Sequence, residues 1–386
     1  MPKINLLYVV TKLELGGAQR HVLSLIRGLD KVKYNVCLFT SAKGLLINEA
    51  SSIEGLSVKR SNFLERPVNP FKDILALVEL YFFIRKHKID IVHTHSSKAG
   101  ILGRLAARFA GARVILHTVH GWSFHNFQPA AVSWFYVLCE RLCACFTDRI
   151  IVVSVFDREK GLEHGVGKSE QYRLVRYGID VMDFRVRNRR FRMRESLELN
   201  NTDPVVGMVA CFKPQKAPLD FIELASLVRK DFPEVKFILV GDGRLSGKIF
   251  RRIKQLGIEK NMILSGWRRD IPMILSGLDV FVLTSLWEGV PIVALEAMAA
   301  SVPLVVTDTG GIKEVITDGE NGYLVEPRDI HSMHRYLVEL LSDPRKRRDL
   351  AGRAAEDISS EEFSAESMLK KVFSVYDSLL GAAGNV

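Results

Sequence analysis

Two glutamates, Glu288 and Glu296, lie eight residues apart in the second half of the chain. A strand-like run ends near Ser285, and Pro291 stands where a helix should begin, which puts Glu296 in the second turn of that helix. Carboxylates accept hydrogen bonds from sugar and ribose hydroxyls, while free N–H groups at a helix start suit phosphates. The spacing alone is common, but in this context we expect both glutamates to contact one ligand. Gly310-Gly311, after the next strand, is expected to shape the same site.

Basic residues suited to a diphosphate follow another strand-like run. Lys213 and Lys216 lie in VACFKPQKAPLDF, between a predicted strand and a predicted helix. Their ammonium groups can form charge-assisted hydrogen bonds with phosphate oxygens. A surface lysine that binds nothing is the alternative for each, and the position of Lys216 favours the phosphate role more than that of Lys213.

Two glycine-rich turns are candidates for close backbone contact with a phosphate. Gly16-Gly17 follows the first strand-like run and opens a helix, where backbone N–H groups and the helix dipole favour an anion. Gly241 and Gly243 follow the run VKFILV in the same way. A structural turn is the alternative for Gly241. The match to a dinucleotide-binding fingerprint is imperfect, because the third glycine, Gly247, comes one residue late.

Half of the ten histidines cluster in the first half of the chain: His93, His95, His117, His120 and His125. His120 precedes Gly121-Trp122 at a predicted strand end, which is a ligand-facing position. We expect His93 and His95 to point to opposite faces of their strand, which argues against a metal site. Apart from His120, these histidines are interpreted as packed or hydrogen-bonded structural residues.

The five cysteines do not suggest a disulfide framework, because their number is odd and their spacing irregular. Cys139, Cys143 and Cys145 are close in sequence, but no second pair or nearby histidine completes a metal set. We expect buried, inert thiols.

The chain of 386 residues has a net charge of +10, and six arginines crowd positions 185–194. Nucleic acid is not the expected partner, because aromatic residues are not interleaved as a stacking platform requires. Anionic lipid headgroups or an anionic substrate fit better. A solvated helix face is the equally open alternative.

Strand-like and helix-like segments alternate along the chain, which predicts an α/β protein with parallel sheets covered by helices on both faces. Hydrophobic residues make up 47% and charged residues 25%, as in folded soluble proteins. We predict two Rossmann-like doubly wound domains, residues 1–185 and 186–365, with a C-terminal helix in 366–386 that packs back toward the first. Ligands bind at the carboxyl ends of strands in such sheets.

No apolar run reaches the roughly 18 residues that span a bilayer, and the opening residues read as a buried strand rather than a signal peptide. A cytoplasmic location is therefore expected. The net positive charge adds the expectation of peripheral contact with the inner face of the plasma membrane.

The phrase E-x7-E from Glu288 to Glu296, followed by AMAASVPLVVTDTGGIKEVITDGENGYLV, resembles family 4 of the retaining glycosyltransferases with the GT-B fold. Gly16-Gly17-Ala18, IVHTHSSKAG, ILHTVHGWSFH, VGDG and SGWRRDIP support the resemblance, which covers essentially the whole chain. HTHSSKAG and HTVHGWSFH are similar to segments of bacterial enzymes of exopolysaccharide, capsule and O-antigen assembly. The resemblance implies two domains facing across a cleft, with a UDP- or GDP-sugar as donor.

The resemblance also implies residue roles at the donor sugar. Glu288, with Gly289, Val290 and Pro291, would hold the sugar, and Glu296 would bind the ribose hydroxyls.

At the leaving group, Lys216 and backbone from Gly17 would neutralise the diphosphate. His120 would face the sugar near the reacting carbon, and the region of Arg268 would lie by the base. The diphosphate oxygen would then take the acceptor's proton, so that neither cofactor nor metal is expected. The acceptor implied is a polyprenyl-diphosphate-linked glycan taken by the first domain.

Two residues depart from the family pattern. Cys211 stands where the family usually has an arginine, and Lys213 is the candidate to replace its charge. Tyr177 stands where an asparagine often precedes Gly178. Competing interpretations are a sugar-nucleotide epimerase of the same fold, a non-catalytic partner of a polysaccharide assembly complex and, more distantly, an NAD-dependent dehydrogenase.

Overall fold

The computed structural model describes residues 3–185 and 189–382. It divides into two compact units, the first formed by the residues up to Tyr177 with those from Glu366 onward, and the second by Gly178–Ala365. The predicted domain boundary after residue 185 falls at the edge of residues 186–188, outside the described part, and stays a prediction.

The strands of the described residues are short and mostly buried. They are β1 (Ile4–Val10), β2 (Tyr34–Ser41), β3 (Leu56–Ser61), β4 (Ile91–His95), β5 (Val114–Val119), β6 (Arg149–Val152), β7 (Tyr172–Leu174), β8 (Val205–Val209), β9 (Lys236–Val240), β10 (Met262–Gly266), β11 (Val280–Leu283), β12 (Leu304–Thr307) and β13 (Tyr323–Val325).

The α-helices of the described residues alternate with these strands. They are α1 (Gly17–Gly28), α2 (Ile47–Ser51), α3 (Pro70–Lys86), α4 (Ser97–Ala110), α5 (Ala130–Ala144), α6 (Val155–Glu163), α7 (Arg189–Ser196), α8 (Pro218–Asp231), α9 (Ser246–Leu256), α10 (Ile271–Ser276), α11 (Ile292–Ala299), α12 (Ile330–Ser342), α13 (Pro344–Asp357) and α14 (Ala365–Ala382).

The first unit is built on a parallel sheet of seven strands in the order β3-β2-β1-β4-β5-β6-β7. Alternate residues of β1 enter two separate hydrophobic clusters, with Leu6 and Tyr8 in one and Leu7 and Val9 in the other. Both faces of the sheet are therefore covered, which explains why β1 reads as a continuous apolar run.

The helix α14 belongs to the first unit although it is last in sequence. Met368, Val372 and Tyr376 are buried in the same cluster as Leu6 and Tyr8. The hydroxyls of Tyr8 and Tyr376 are 2.9 Å apart in this core. The amphipathic pattern of the C-terminal segment thus corresponds to a helix whose apolar stripe completes the core of the first unit.

The second unit is built on a parallel sheet of six strands in the order β10-β9-β8-β11-β12-β13. The direction in which the chain adds strands reverses between β8 and β11, which are hydrogen-bonded neighbours. Such a reversal opens a ligand crevice at the carboxyl ends of the two strands. The loops after β8 and β11 are the ones that carry Lys216 and Glu288.

β3 and β7, which form the two edges of the first sheet, are not runs of apolar residues of the kind that predicts a strand from sequence. Their sequences, LSVKRS and YRL, carry polar residues at exposed or half-buried positions. Edge strands need not be apolar on both faces, so that they lack the continuous apolar run that identified the central strands.

The arginine-rich segment 185–194 is not simply a solvated helix face. Arg194 is 1% exposed, and its guanidinium donates to Asp279 Oδ2 at 2.9 Å and to three backbone carbonyls. Arg190 donates to Asp279 Oδ1 at 2.9 Å, and Arg185 to Ser359 Oγ at 2.8 Å. Arg187 lies outside the described residues. Part of the cluster therefore holds the second unit together.

The expectation that the thiols are buried is wrong for four of the five cysteines. All five are free, but Cys143 alone is buried, whereas Cys145 is exposed just beyond the end of α5 and the other three, Cys37, Cys139 and Cys211, are half-buried. No helix that the structure describes is long and apolar enough to span a membrane.

Candidate functional site

Lys216 and Glu288 meet at the carboxyl ends of β8 and β11. The Lys216 ammonium donates a hydrogen bond to Glu288 Oε1 in an ion pair. The two side chains are only 15% and 9% exposed, so that solvent screens their attraction incompletely. Gln215 Nε2 donates to the Trp287 carbonyl at 2.8 Å and lies 3.4 Å from Glu288 Oε2. A cation and a carboxylate are thus fixed side by side.

Backbone contacts tie the two loops together. The N–H of Leu286 donates to the Gln215 carbonyl at 2.7 Å. The Thr284 hydroxyl lies 3.0 Å from the carbonyls of both Lys216 and Ala217. These hydrogen bonds join residues about seventy positions apart, so that the position of Lys216 depends on the loop that carries Glu288.

The glycine pair after β12 supports the backbone of this loop. The N–H of Gly311 donates to the Gly289 carbonyl at 2.7 Å. At Gly310, φ is +63° and a Cβ atom would lie 2.2 Å from the Glu288 carbonyl oxygen. Only glycine fits that conformation and that approach. Gly310 therefore supports the backbone of Glu288. This agrees with the expectation that the glycine pair shapes the site.

The helix predicted after Glu288 is α11. Pro291 is its N-cap residue, and the helix begins at Ile292, one residue later than predicted. Glu296 is 9% exposed in the second turn, and Val290 is buried. Four of the residues predicted to bind the donor (Gly289, Val290, Pro291 and Glu296) thus lie in the loop and helix that follow β11.

The turn at Gly241 has a structural explanation. Its φ is +130°, and a Cβ atom would lie 2.0 Å from the Ala210 carbonyl oxygen. Gly243, at φ +156°, would place a Cβ atom 2.7 Å from the Phe212 carbonyl oxygen. Both glycines allow the loops after β8 and β9 to pack closely, whereas a Cβ atom at Gly247 would meet nothing. The packing of these loops is therefore sufficient to explain the glycine at position 241 as a structural turn, without contact to a nucleotide.

The remaining residues predicted near the donor are spread along the same edge. Lys213 precedes the 3-10 helix Pro214–Lys216, and Cys211 is half-buried just before it. Arg268 follows β10, the edge strand, and forms a bidentate ion pair with Asp270 at 2.8 and 2.6 Å. The sheet order separates β10 from β8 by one strand. Arg268 therefore lies farther from β11 along this edge of the sheet than Lys216 does.

In the first unit, Gly16 and Gly17 lie where the sequence predicted, at the start of a helix. Gly16 is the N-cap residue of α1 and has no side-chain cap. The helix follows β1, so that its N-terminus lies at the carboxyl edge of the first sheet.

His120 lies just beyond β5, at the same edge of the first unit. Its Nδ1 lies 2.6 Å from the hydroxyl of Tyr177, and its Nε2 lies 3.0 Å from His95 Nδ1. The rings of Tyr177 and His120 are nearly parallel, with an interplanar angle of 2° and centroids 5.8 Å apart. Tyr177 therefore orients His120. The sequence alone had shown no evident consequence of a tyrosine in place of the family's asparagine.

The expectation that His93 and His95 point to opposite faces is wrong. Their ring centroids are 4.2 Å apart. Side chains two residues apart on a strand lie on the same face, so that the intervening Thr94 points the other way. His93 bonds the hydroxyls of Tyr376 at 2.6 Å and Thr118 at 2.7 Å, which agrees with a structural role.

The sequence did not single out His21, which joins this cluster from α1. Its ring centroid lies 5.2 Å from that of His120 and 6.0 Å from that of His95. Burial lowers the pKa of His21 to about 4 and holds those of His95 and His120 well below the usual value. These imidazoles are therefore neutral at pH 7. Nothing in the sequence near His21 marks it, because its neighbours come from other elements.

A cavity of about 460 Å³ lies in the first unit beside this edge. Its lining combines charged and apolar side chains, including Lys12, Arg66 and Lys98, the carboxylates Glu14 and Asp73, and Ile101, Leu102 and Phe135. Lys98 pairs with Asp73 at 2.6 Å, whereas Arg66 is exposed. The cavity can accommodate an anionic group attached to an apolar chain.

Family models match both halves of the chain. The model Glycosyltransferase Family 4 matches residues 15–182, and the model Glycosyl transferases group 1 matches residues 189–357. An Escherichia coli relative, UDP-Gal:alpha-D-GlcNAc-diphosphoundecaprenol alpha-1,3-galactosyltransferase, is 34% identical over 346 residues, which cover 88% of this chain and 89% of the relative. The chain belongs to glycosyltransferase family 4.

Two further comparisons agree with this assignment of the glycosyltransferase. The O-antigen biosynthesis glycosyltransferase WbnH of Escherichia coli is 26% identical over 361 residues, 94% of this chain and 97% of the relative. Among solved structures, Anabaena Alr3699/HepE in complex with UDP and glucose superposes with a TM-score of 0.84 at 20% identity, covering 97% of this chain and 100% of that one. The predicted fold class, GT-B with two Rossmann-like parallel-sheet domains, is confirmed. The relatives do not favour the epimerase interpretation.

Proposed function

We propose that this glycosyltransferase moves a hexose from a nucleoside diphosphate sugar to a polyprenyl-diphosphate-linked glycan, with retention at the anomeric carbon, in bacterial surface polysaccharide assembly. The observation that carries the donor half of the proposal is the Lys216–Glu288 pair, held with the N-terminus of α11 at the carboxyl ends of β8 and β11. The name of the Escherichia coli relative, a UDP-Gal-dependent enzyme with a diphosphoundecaprenol acceptor, makes UDP the first candidate nucleotide and GDP the second.

In the proposed reaction, the bond between the anomeric carbon and the diphosphate oxygen breaks as an acceptor hydroxyl forms the new bond on the same face of the sugar. The leaving diphosphate oxygen accepts the hydroxyl proton. Lys216 and the backbone N–H groups at the start of α11 stabilise the developing negative charge, which is the largest catalytic contribution expected here. Glu288 holds the sugar hydroxyls and Glu296 the ribose, while His120 is proposed to face the sugar.

The donor half is tested by thermal shift with UDP, GDP, ADP, their sugar conjugates and NAD, because a ligand of the folded state raises the unfolding midpoint. We expect one nucleotide and its sugars to stabilise the wild type. Lys216→Ala should weaken that nucleotide roughly 10- to 100-fold, since a hydrogen bond to a charged group contributes about 1.5–3 kcal/mol. Lys248→Ala removes an exposed lysine of the same unit and is the matched control.

Each variant is compared with its own ligand-free midpoint, so that any loss of stability from breaking the ion pair is separated from the loss of binding. Full nucleotide affinity in Lys216→Ala would contradict the placement of the diphosphate. A shift with NAD alone would favour the dehydrogenase alternative.

For the acceptor, the cavity of the first unit offers the chemistry that a lipid diphosphate requires. Arg66 supplies positive charge beside the apolar side chains of Ile101 and Phe135. Lys12 and Lys98 also line the cavity, each paired with a carboxylate of the same lining, Glu14 and Asp73. Arg66→Ala should raise the KM for the lipid-linked acceptor and leave the KM for the donor unchanged. The exposed Arg60 on β3 lies outside the cavity, so that Arg60→Ala is the control. An equal effect of both variants would argue against this cavity.

An apolar face of the first unit supports contact with a membrane surface. It consists of exposed side chains on α3 and α5, helices that both pack on α4. The members are Phe71, Ile74, Val78, Phe82, Trp134, Phe135, Leu138 and Leu142. Their spacing of three or four residues puts them on one side of each helix. Arg85, Lys86 and Arg141 on the same helices add positive charge, which suits anionic headgroups.

The membrane contact is tested by co-sedimentation with vesicles that contain anionic phospholipid. Phe82→Ser with Trp134→Ser should reduce binding at least several-fold, because each aromatic side chain is 64% exposed and available to the bilayer interface. Phe250→Ser is the matched control, since Phe250 is also 64% exposed but lies on α9 of the second unit. Unchanged vesicle binding in the double variant, or a dimer that the double variant abolishes, would contradict the proposal.

A further inference from the structure

Three imidazoles from three different elements converge in the first unit. His21 lies on α1, His95 ends β4 and His120 follows β5. One ring nitrogen can be chosen from each so that the three atoms all lie within 4.8 Å of one another. Imidazole nitrogen is the ligand that Zn²⁺, Ni²⁺ and Cu²⁺ commonly take in proteins.

Two of these imidazoles carry buried nitrogens without a hydrogen-bond partner among the described residues. His21 is 6% exposed, and both its Nδ1 and its Nε2 lack a partner. His95 is fully buried, and its Nε2 also lacks one. Buried polar atoms are nearly always hydrogen-bonded, because burying one without a partner is costly. A cation bound here would satisfy a lone pair on His21, which is the ring with no partner at either nitrogen among the described residues, whereas the nitrogen of His95 that faces His120 is Nδ1 rather than the unpartnered Nε2.

The geometry between His95 and His120 already resembles a coordination pair. Nδ1 of His95 and Nε2 of His120 are 3.0 Å apart. Two nitrogens bound to one tetrahedral ion at about 2.0 Å lie about 3.3 Å apart. The hydroxyl of Tyr177 holds the far nitrogen of His120 at 2.6 Å, as the outer partner of a metal-bound histidine does.

We propose that His21, His95 and His120 bind one transition-metal ion, with Zn²⁺ as the first candidate. The ion binds His95 Nδ1 and His120 Nε2 from between the two rings. The proton that lay between them moves to the remote nitrogen of its own ring, so that each imidazole stays neutral with one proton and none is released. All three ligands belong to the first unit, whereas Lys216 and Glu288 belong to the second. Because the ion occupies a lone pair of His120, it inhibits sugar transfer, and this second half of the inference rests on the role proposed for His120.

Binding is measured by calorimetric titration of Zn²⁺ and by the visible absorption of Co²⁺ on the full chain freed of metal. We expect one ion per chain in the wild type, and a tetrahedral Co²⁺ spectrum. His21→Phe removes one ligand while keeping an aromatic ring, and should weaken the ion at least 10-fold. His331→Phe changes an exposed histidine of the second unit and should bind as the wild type does.

Should the phenyl ring disturb the core, His21→Gln removes the imidazole with a polar side chain and serves as the second variant. No stoichiometric ion in the wild type, or equal affinity in both His21 variants and the wild type, would overturn the site.

Measuring sugar-transfer activity with and without Zn²⁺ tests the inhibition independently of the binding of the ion. In chelator, His21→Phe should be as active as the wild type, and added Zn²⁺ should inhibit the wild type but not His21→Phe. UDP binding to the second unit should be unaffected by Zn²⁺ in both. Stoichiometric ion binding without inhibition would overturn the inhibitory half and the placement of His120, while leaving the donor site of the second unit intact.

Discussion

The hydrogen bond between His120 Nδ1 and the Tyr177 hydroxyl links a proposed catalytic residue to the position where the family often has asparagine. The imidazole is neutral because burial holds its pKa well below the usual value. A neutral ring can donate or accept at either nitrogen, so that its partner decides which nitrogen carries the proton. We therefore expect Tyr177 to affect the proposed reaction only through His120.

Tyr177→Phe should lower kcat about 10-fold with little change in donor KM, since losing ~1.4 kcal/mol of positioning in the transition state has that effect. The measurement is a double-mutant cycle with His120→Ala. In the His120→Ala background, Tyr177→Phe should cost nothing further. Additive losses in the double variant would show that Tyr177 acts independently of His120.

Cys211 departs from the family pattern, but the neighbouring Lys216 still forms its ion pair with Glu288. The expected arginine charge is missing at Cys211, which is half-buried before the 3-10 helix. Lys216 is nevertheless held against Glu288 by contacts from a neighbouring loop. Whether Lys213 supplies the missing charge to a diphosphate stays a prediction.

At the scale of elements, the loop between β12 and β13 fixes the loop after β11. Gly310 and Gly311 contact the backbone of Glu288 and Gly289 rather than any side chain. The conformation of the carboxylate loop is thus set by a neighbouring strand connection.

Gly310→Ala should weaken UDP binding, because a Cβ atom only 2.2 Å from the Glu288 carbonyl oxygen displaces that loop. Gly319→Ala is the matched control, since Gly319 has φ +75° but nothing within 4 Å of an added Cβ atom. Both variants should lose about 1–2 kcal/mol of stability from the left-handed backbone. Thermal-shift titration with UDP should show weaker binding in Gly310→Ala alone, and equal UDP affinities in the two variants would contradict the supporting role of Gly310.

At the scale of the whole molecule, a group of buried histidines makes stability depend on pH. Burial lowers the pKa of His21 to about 4 and of His93 to about 3, and holds the others well below the usual 6.5. The unfolded chain takes up protons near its ordinary pKa of 6.5, whereas the folded chain takes them up only at lower pH. The free energy of unfolding therefore falls as pH falls from about 6.5 toward 4.

Each such histidine contributes a slope of about 1.4 kcal/mol per pH unit in that range. Urea unfolding followed by circular dichroism at pH 7, 6 and 5 should show the loss, with full stability at pH 7. His21→Phe should reduce the slope by the share of one histidine, and His331→Phe, which changes an exposed residue, should not. A free energy of unfolding that is constant from pH 7 to 5 would contradict the argument.

Local sequence patterns were enough to predict the α/β class, the central strands and the loops that carry the candidate residues. Those features depend on local patterns, since buried parallel strands are apolar throughout and glycine or proline marks the turns into helices. Glu288, Pro291 and Glu296 could be placed because they lie within one strand–loop–helix segment.

Which of those loops contact one another could not be predicted from local patterns and follows from the three-dimensional fold. The Lys216–Glu288 pair, the Tyr177–His120 hydrogen bond and the convergence of His21 with His95 each join residues far apart in sequence. In a parallel sheet, strands that are neighbours in space need not be neighbours in sequence, as β8 and β11 show. Strand order brings their carboxyl ends together, and no local periodicity records that order.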